Sequence, residues 1–206
     1  MQEEEIKLVY RLFPVEQQDA PRVALFSGVE ADGGSARICA RTAELLAARG
    51  EGAVCAVDVN FRSPSLHQCF YMENESGLAE ATLETSPILS FARRVADSNL
   101  WLLAAGISPI ATNGHALAER LKARIAELRT SFRYVILHAG PLRHDSRALL
   151  LSRCTDGVVL VIEADSTLKK SACQLKESLA SMQVGVLGVV LTNRQLHVPE
   201  GLDRLL

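Results

Sequence analysis

The stretch Gly28–Ser35 carries the residues of this sequence that could bind phosphate. It follows the apolar run Val23–Phe26 and precedes an amphipathic helical pattern, which is the layout of a P-loop, G-x-x-x-x-G-K-[ST]. The glycine spacing and Ser35 fit this pattern, but Gly34 stands in place of the lysine. Backbone N–H groups and a helix N-terminus can still face an anion, although the side chain that follows charge onto the β- and γ-phosphates is absent.

Two interpretations of this loop remain open. Either it binds phosphate weakly through its backbone, or it is only a tight turn that opens a helix and binds nothing. Arg37 could supply the missing cation, although an arginine at this position is also typical of a solvated helix face. Glu30 and Asp32 oppose anion binding unless they point to solvent, because the helix dipole is equivalent to only about half a charge. The residues that would contact a phosphate are Gly28, Gly33, Gly34, Ser35 and Ala36.

Apolar runs and amphipathic helical patterns alternate along the rest of the chain. Because the strand candidates are continuous apolar runs, both of their faces should be buried, which is typical of a parallel sheet covered on both sides by helices. The sequence therefore predicts an α/β fold with a doubly wound, mostly parallel sheet. The predicted strands are 23–26, 53–57, 100–104, 134–137, 158–162 and 186–191. The predicted helices are 3–13, 35–49, 78–83, 88–95, 115–128, 146–152 and 167–182.

Polar residues that could do chemistry follow several of these strands. In open parallel sheets, the ligand crevice lies beyond the carboxyl ends of the strands. We therefore expect the site to combine Gly28–Ser35, Asp58–Arg62, His138–Pro141 and Thr192–Asn193.

Length and composition bound the remaining possibilities. The 206 residues are most simply one domain, in which residues 1–20 form a short helix and a linker. That helix is too short to be stable alone, so it packs either on its own domain or on a neighbouring subunit. A net charge of −2 gives no reason to expect nucleic acid binding, and no apolar run reaches the roughly 18 residues that span a membrane. The five scattered cysteines indicate buried thiols in a reducing cytoplasm.

Four motifs in order resemble one protein family. They are the loop Gly28–Ser35, the stretch Ala56–His67, the stretch Phe132–Leu142, and the pair Asp156–Ile162 and Val186–Asn193. This order is similar to that of the bacterial tyrosine kinases of capsular and exopolysaccharide synthesis. Those kinases are a branch of the deviant-Walker P-loop ATPases, which also include the MinD and ParA proteins. The resemblance covers nearly the whole chain and implies the P-loop NTPase fold.

The resemblance also implies roles for individual residues. The P-loop of the family supplies a serine or threonine hydroxyl for Mg²⁺, and Ser35 fits this position. The second motif of the family reads D-x-D-x-R, which Asp58 and Arg62 match, whereas Asn60 replaces the second acid. The Walker B aspartate of the family corresponds to His138, which cannot act as a carboxylate beside a divalent ion.

Further positions match the family in part. Asp145 corresponds to another acid of the family, and Asn193 corresponds to an asparagine that contacts adenine. If the chain is active, the resemblance implies Asp58, Arg62 and Asp145 as catalytic residues, with Ser35 and Asp58 at the metal. His144 follows His138 closely, but its spacing from His138 and Asp145 fits no recognised metal-ligand pattern. The family also has a tyrosine cluster that is phosphorylated between subunits, whereas the three tyrosines here are far apart: Tyr10, Tyr71 and Tyr134.

Three functions are compatible with these substitutions. The first is a non-catalytic scaffold or regulator of polysaccharide synthesis or export, whose partner is a membrane protein of polymerisation or export. The second is a slow ATPase or tyrosine kinase in which Arg37 or another subunit replaces the missing lysine. The third is a positioning ATPase similar to MinD or ParA. For the first function we expect no cofactor, or weakly bound ATP or ADP without Mg²⁺. We also expect a cytoplasmic chain that reaches the inner membrane through its partner, either alone or as a homo-oligomer.

Overall fold

The strands form one sheet in a computed structural model that describes residues 2–15, 17, 19–30, 33–108, 114–164 and 167–193. Within these ranges the strand order is β3-β4-β2-β5-β1-β6-β7, and only β3 runs antiparallel to its neighbour. The strands are β1 (Val23–Gly28), β2 (Val54–Asp58), β3 (Arg93–Arg94), β4 (Leu100–Leu103), β5 (Tyr134–Ala139), β6 (Gly157–Glu163) and β7 (Val186–Thr192). The predicted mostly parallel α/β sheet is therefore confirmed.

Helices cover both faces of this sheet. Leu46 of one helix packs in a cluster on the first face, and Leu121 of another packs in a second cluster on the opposite face. The helices are α1 (Gln2–Leu12), α2 (Ser35–Ala48), α3 (Leu66–Cys69), α4 (Leu78–Leu83), α5 (Gly114–Ser131), α6 (Ser146–Ser152) and α7 (Lys169–Ser181). Helices α1, α2 and α3 contribute to the first cluster, and α4, α5, α6 and α7 to the second. This double winding buries β1, β2 and β5 along their whole length, as their continuous apolar sequences predict.

The N-terminal helix α1 packs on its own domain. Val9, Leu12 and Phe13 are buried, and the Phe13 ring meets the Tyr134 ring edge-on at 5.6 Å between centroids. The Tyr134 hydroxyl in turn donates to Glu51 Oε2 over 2.8 Å. Of the two alternatives for this helix, the structure shows the intramolecular contact.

Two predictions about local structure were wrong. The predicted helix 88–95 is a 3₁₀ turn (Ile88–Ser90) followed by β3, which pairs antiparallel with β4. Val95 N–H donates to Leu100 O over 2.8 Å, so a tight hairpin satisfies the backbone groups that a helix would have paired internally. The cysteines are not uniformly buried either, because Cys173 on α7 is exposed.

Candidate functional site

The glycine loop opens α2 in a left-handed conformation. Gly33 and Gly34 have φ angles of 56° and 80°, and Ser35 is the first residue of α2. No atom lies within 4 Å of where a Cβ on Gly34 would be, so the position has room for a side chain. However, an ordinary residue in this conformation costs about 1–2 kcal/mol. Ala31 and Asp32 of the loop lie outside the described residues.

A buried chain of hydrogen bonds joins this loop to two strands. His138 Nδ1 lies 3.1 Å from Asp58 Oδ1, and His138 Nε2 lies 3.1 Å from Ser35 Oγ. All three side chains are fully buried. The chain forms because β2 and β5 pair in a register that sets Asp58 directly beside His138. We call these three residues the Ser35–His138–Asp58 chain.

The bonding of Asp58 fixes the direction of this chain. Asp58 Oδ1 also accepts the Asn60 N–H over 3.0 Å, and Oδ2 accepts the N–H groups of Ser65 and Leu66, each over 2.9 Å. Because both carboxylate oxygens serve as acceptors, the Nδ1–H of His138 donates to Asp58, which leaves Nε2 facing the Ser35 hydroxyl. The order serine, histidine, aspartate is also that of hydrolase triads, but a nucleophile must be accessible to substrate and Ser35 is buried.

The other residues of the second motif divide into a buried and an exposed group. Asn60 is buried, donates from Nδ2 to Ser63 O over 2.8 Å and accepts the Ser63 N–H over 3.2 Å. Arg62 is exposed on the surface. Asp58 and Asn60 therefore shape the turn that leads into α3, and Arg62 is not part of their hydrogen-bond network.

Asp145 caps a helix. Its Oδ1 accepts the N–H groups of Arg147 over 2.9 Å and Ala148 over 3.2 Å, at the start of α6. An aspartate that precedes an apolar helical pattern is a recognisable N-cap, so this role was readable from the sequence.

Asn193 lies beside the loop through contacts that the sequence did not indicate. Its Nδ2 donates to Glu163 Oε1 over 2.7 Å, and the neighbouring Thr192 hydroxyl donates to Gly33 O over 2.9 Å. Gly33 and Glu163 are close as well, since a Cβ on Gly33 would be 3.7 Å from Glu163 Cβ. The last two strands of the sheet thus form one wall of the loop.

The Glu30 carboxylate is occupied by contacts with other side chains of the protein. Its Oε1 accepts the Ser171 hydroxyl over 2.5 Å and lies 3.3 Å from the Arg143 guanidinium. The Ser171 hydrogen bond lowers the pKa of Glu30, with a smaller contribution in the same direction from Arg143. The carboxylate therefore stays ionised near neutral pH, where it accepts a hydrogen bond from α7 and pairs with Arg143.

The geometry supports neither Arg37 as a substitute for the lysine nor a metal site at His138, His144 and Asp145. Arg37 is exposed and lines a groove with Arg41, Glu44 and Tyr71 on the outer side of α2. In the part of the chain that the structure describes, no three histidine, cysteine, aspartate or glutamate side chains are grouped to hold a metal ion. His138, His144 and Asp145 therefore do not form such a group.

The amino-acid sequence is similar to those of two bacterial tyrosine kinases. The chain is 28% identical over 165 residues to the tyrosine-protein kinase YwqD of Bacillus subtilis, which is 79% of this chain and 68% of the kinase. It is 24% identical over 135 residues to CapB of Staphylococcus aureus, a candidate tyrosine-protein kinase, covering 66% of this chain and 59% of CapB. No protein-family profile matches the chain.

Solved structures share the fold of this chain. The chimeric protein CapA2B2 superposes with a TM-score of 0.81 at 23% identity, over 92% of this chain and 83% of the chimera. The chain is thus similar in sequence to bacterial tyrosine kinases and shares its fold with CapA2B2. A ParA-family ATPase from Chlorobium tepidum shares the fold with a TM-score of 0.67 at 19% identity, over 84% of this chain and 74% of the ATPase.

The P-loop pattern has a lysine where this chain has Gly34, and the resemblance described above implies an aspartate at the position of His138. The structure places Gly34 in an open, left-handed position and His138 inside a buried hydrogen-bond chain. The start of α2 offers a set of backbone N–H groups that could bind an anion. The hydrogen bonds of the His138 ring hold this turn in place.

Proposed function

We propose that this chain is a non-catalytic relative of the polysaccharide-synthesis tyrosine kinases that acts as a scaffold or regulator in polysaccharide synthesis or export. The observation that carries this proposal is the Ser35–His138–Asp58 chain. Ser35, the serine that a P-loop uses for Mg²⁺, is hydrogen-bonded to His138, which occupies the position of the Walker B acid. A kinase needs both of them for its metal and nucleotide.

The chemistry of phosphoryl transfer supports this proposal. Catalysis of this reaction depends almost entirely on positioning the phosphates and neutralising their charge. Removing one preorganised donor commonly slows an enzyme by about 10²–10³-fold. Here the lysine is replaced by Gly34 and the Walker B acid by His138, so two charged contacts are missing from a single centre.

The relationship to these kinases also suggests the partner, a membrane protein of polysaccharide polymerisation or export. In the part of the chain that the structure describes, no helix has both the length and the apolar character to cross a bilayer. The proposal therefore assigns the contact with the membrane to the partner and places this chain at the inner membrane from the cytoplasmic side. Neither a slow ATPase nor a ParA-like positioning role is favoured by a specific contact, since Arg37 lines an outer groove and the ParA likeness is one of fold.

The catalytic half of this proposal is tested by a direct assay. Purified protein is incubated with radiolabelled ATP and Mg²⁺, and both phosphate release and protein labelling are followed. Kinases turn over at about 1–100 s⁻¹, and we expect neither product above the protein-free control. Mg²⁺-dependent turnover at that level, abolished in Ser35→Ala, would overturn the proposal.

The scaffold half is tested in cells by a matched pair of variants at Gly34. Asparagine and aspartate both tolerate left-handed backbone, but only Gly34→Asp places a negative charge where a phosphate would bind. Polymer production is measured in a strain that lacks the gene and carries either variant. If the chain is a scaffold, both variants restore the polymer equally. Restoration by Gly34→Asn but not by Gly34→Asp would show that the function requires bound phosphate.

A further inference from the structure

We propose that the imidazole of His138 takes the structural place of the divalent cation in this fold, so that the chain holds no Mg²⁺ between Ser35 and Asp58. This inference deepens the proposed function and rests on the same site. Three features of the site oppose a metal ion: the separation of the oxygens, the saturation of Asp58 and the chemistry of the ring.

The separation of the two oxygens does not fit a shared metal ion. Mg²⁺ holds its ligands at about 2.0–2.1 Å, so two oxygens on one ion lie at most about 4.2 Å apart. Here Ser35 Oγ and Asp58 Oδ1 each lie 3.1 Å from opposite nitrogens of one imidazole ring. Because the two hydrogen bonds diverge from the ring, the oxygens are held much farther apart than a single ion allows.

The carboxylate of Asp58 is already saturated. Three backbone N–H groups and the His138 ring bond its two oxygens, and the side chain is fully buried. A metal would have to displace at least one of these donors in a site without water access. A buried acceptor that loses a donor is destabilised, which opposes metal entry.

The ring itself is the wrong ligand for the metal of a kinase. Mg²⁺ prefers carboxylate, carbonyl and water oxygens, whereas imidazole suits zinc, copper, iron and nickel. A softer metal is not favoured either, because the described residues contain no group of three side chains of the kind that bind one. His138 therefore joins the first turn of α2 to β2 and β5 by hydrogen bonds, a connection that a metal ion makes in an active P-loop enzyme.

Manganese binding to the unmodified protein tests this inference directly. Mn²⁺ is a spectroscopic substitute for Mg²⁺, and the electron paramagnetic resonance signal of the free ion disappears when it binds. We expect either no saturable binding, or binding at some other surface site that is the same in Ser35→Ala. Binding of one Mn²⁺ per chain that Mg²⁺ displaces and Ser35→Ala abolishes would overturn the inference.

A variant pair gives the complementary result. His138→Asp replaces the ring by a metal-binding carboxylate, and His144→Asp makes the same chemical change at an exposed residue. We expect His138→Asp to melt at a lower temperature in EDTA and to recover part of the loss when Mg²⁺ is added. His144→Asp and the wild type should show no such Mg²⁺ dependence.

These two experiments separate the inference from the scaffold proposal. If Mg²⁺ raises the melting temperature of the wild type and of His144→Asp but not of His138→Asp, His138 itself supports a metal and the inference fails. That result would leave the cellular test of Gly34→Asp and Gly34→Asn unaffected. If His138→Asp does not fold, the manganese measurement on the wild-type protein still decides.

Discussion

Asp156 shows how a single carboxylate fixes the start of a strand, β1. Its Oδ2 accepts the N–H groups of Arg22 and Val23 over 2.7 and 2.8 Å, and its Oδ1 accepts from the Arg129 guanidinium over 2.7 Å. Burial alone would raise the pKa of Asp156, but the Arg129 ion pair and the two backbone donors outweigh it and lower the pKa. The ionised form is therefore the one that stabilises the fold.

Replacing this carboxylate should destabilise the protein in a pH-dependent way. Asp156→Asn is expected to lower the free energy of unfolding at pH 7 by about 1–2 kcal/mol, reduced from the full value of charged hydrogen bonds by solvent screening. Because the folded pKa lies below the unfolded value of about 3.9, the contribution is complete above that pH and is lost as the pH falls through the folded pKa.

Urea unfolding at pH 7 and at stepwise lower pH measures this effect. The difference between wild type and Asp156→Asn should shrink as the pH falls below about 4, where the unfolded chain binds a proton at this carboxylate before the folded protein does. Asp19→Asn, a change at an exposed residue of the linker, is the control and should leave the unfolding midpoint unchanged. Equal midpoints for the two variants at pH 7 would contradict the role assigned to Asp156.

At the scale of elements, α6 offers a test that separates structure from catalysis. Asp145 caps this helix through the N–H groups of Arg147 and Ala148. Asparagine is about as good an N-cap as aspartate, whereas alanine costs about 0.5–2 kcal/mol. We therefore expect Asp145→Ala to lower the thermal midpoint and Asp145→Asn to preserve it.

The same pair bears on the alternative of an active enzyme. Function in the cellular polymer assay should follow the stability of the two variants, so that Asp145→Asn behaves as wild type. A stable Asp145→Asn protein that loses function would indicate that the carboxylate has a chemical role beyond capping α6.

The sequence predicted the elements that a local residue pattern determines, but not an element that forms only by pairing with another strand. The continuous apolar runs of β1, β2 and β5 identified buried parallel strands, and the glycine spacing located the turn into α2. In contrast, β3 has only two residues and exists because it pairs with β4 across a tight turn. No local hydrophobic period distinguishes it from the short helix that was predicted there.

At the scale of the whole molecule, the site joins groups that are distant in the sequence. Asp58 and His138 lie near the carboxyl ends of the adjacent strands β2 and β5, and Ser35 begins α2, which follows the next strand, β1. Asn193 is hydrogen-bonded to Glu163 of β6, and Glu30 is hydrogen-bonded to Ser171 of α7. The sequence predicted that Gly28–Ser35, Asp58, His138 and Asn193 lie at one edge of the sheet, but it did not indicate Glu163 or Ser171. Which side chains bond to each other depends on strand order and register, and no local motif encodes either.

Introducing a lysine and a carboxylate at Gly34 and His138 tests whether the whole site can hold a nucleotide. A lysine at Gly34 gains a charged contact to phosphate of about 1.5–3 kcal/mol, whereas its cost of about 1–2 kcal/mol in the left-handed backbone lowers the stability of the free and the bound protein alike. The charged contact corresponds to an increase of about 10- to 150-fold in affinity. We expect the double variant Gly34→Lys/His138→Asp to bind ATP with Mg²⁺ more tightly than wild type by a factor of this size.

The matched control for this experiment is Gly34→Gln/His138→Asp, which carries the same backbone cost and no added charge. Titration calorimetry with ATP, with and without Mg²⁺, compares the three proteins. The wild type should bind at most weakly, since its loop has only backbone N–H groups and the helix dipole, equivalent to about half a charge. If lysine and glutamine bind alike, the loop no longer positions a phosphate near residue 34. Micromolar binding of Mg-ATP by the wild type would instead show that another part of the molecule replaces the missing lysine, and the proposed scaffold would have to be a nucleotide-dependent one.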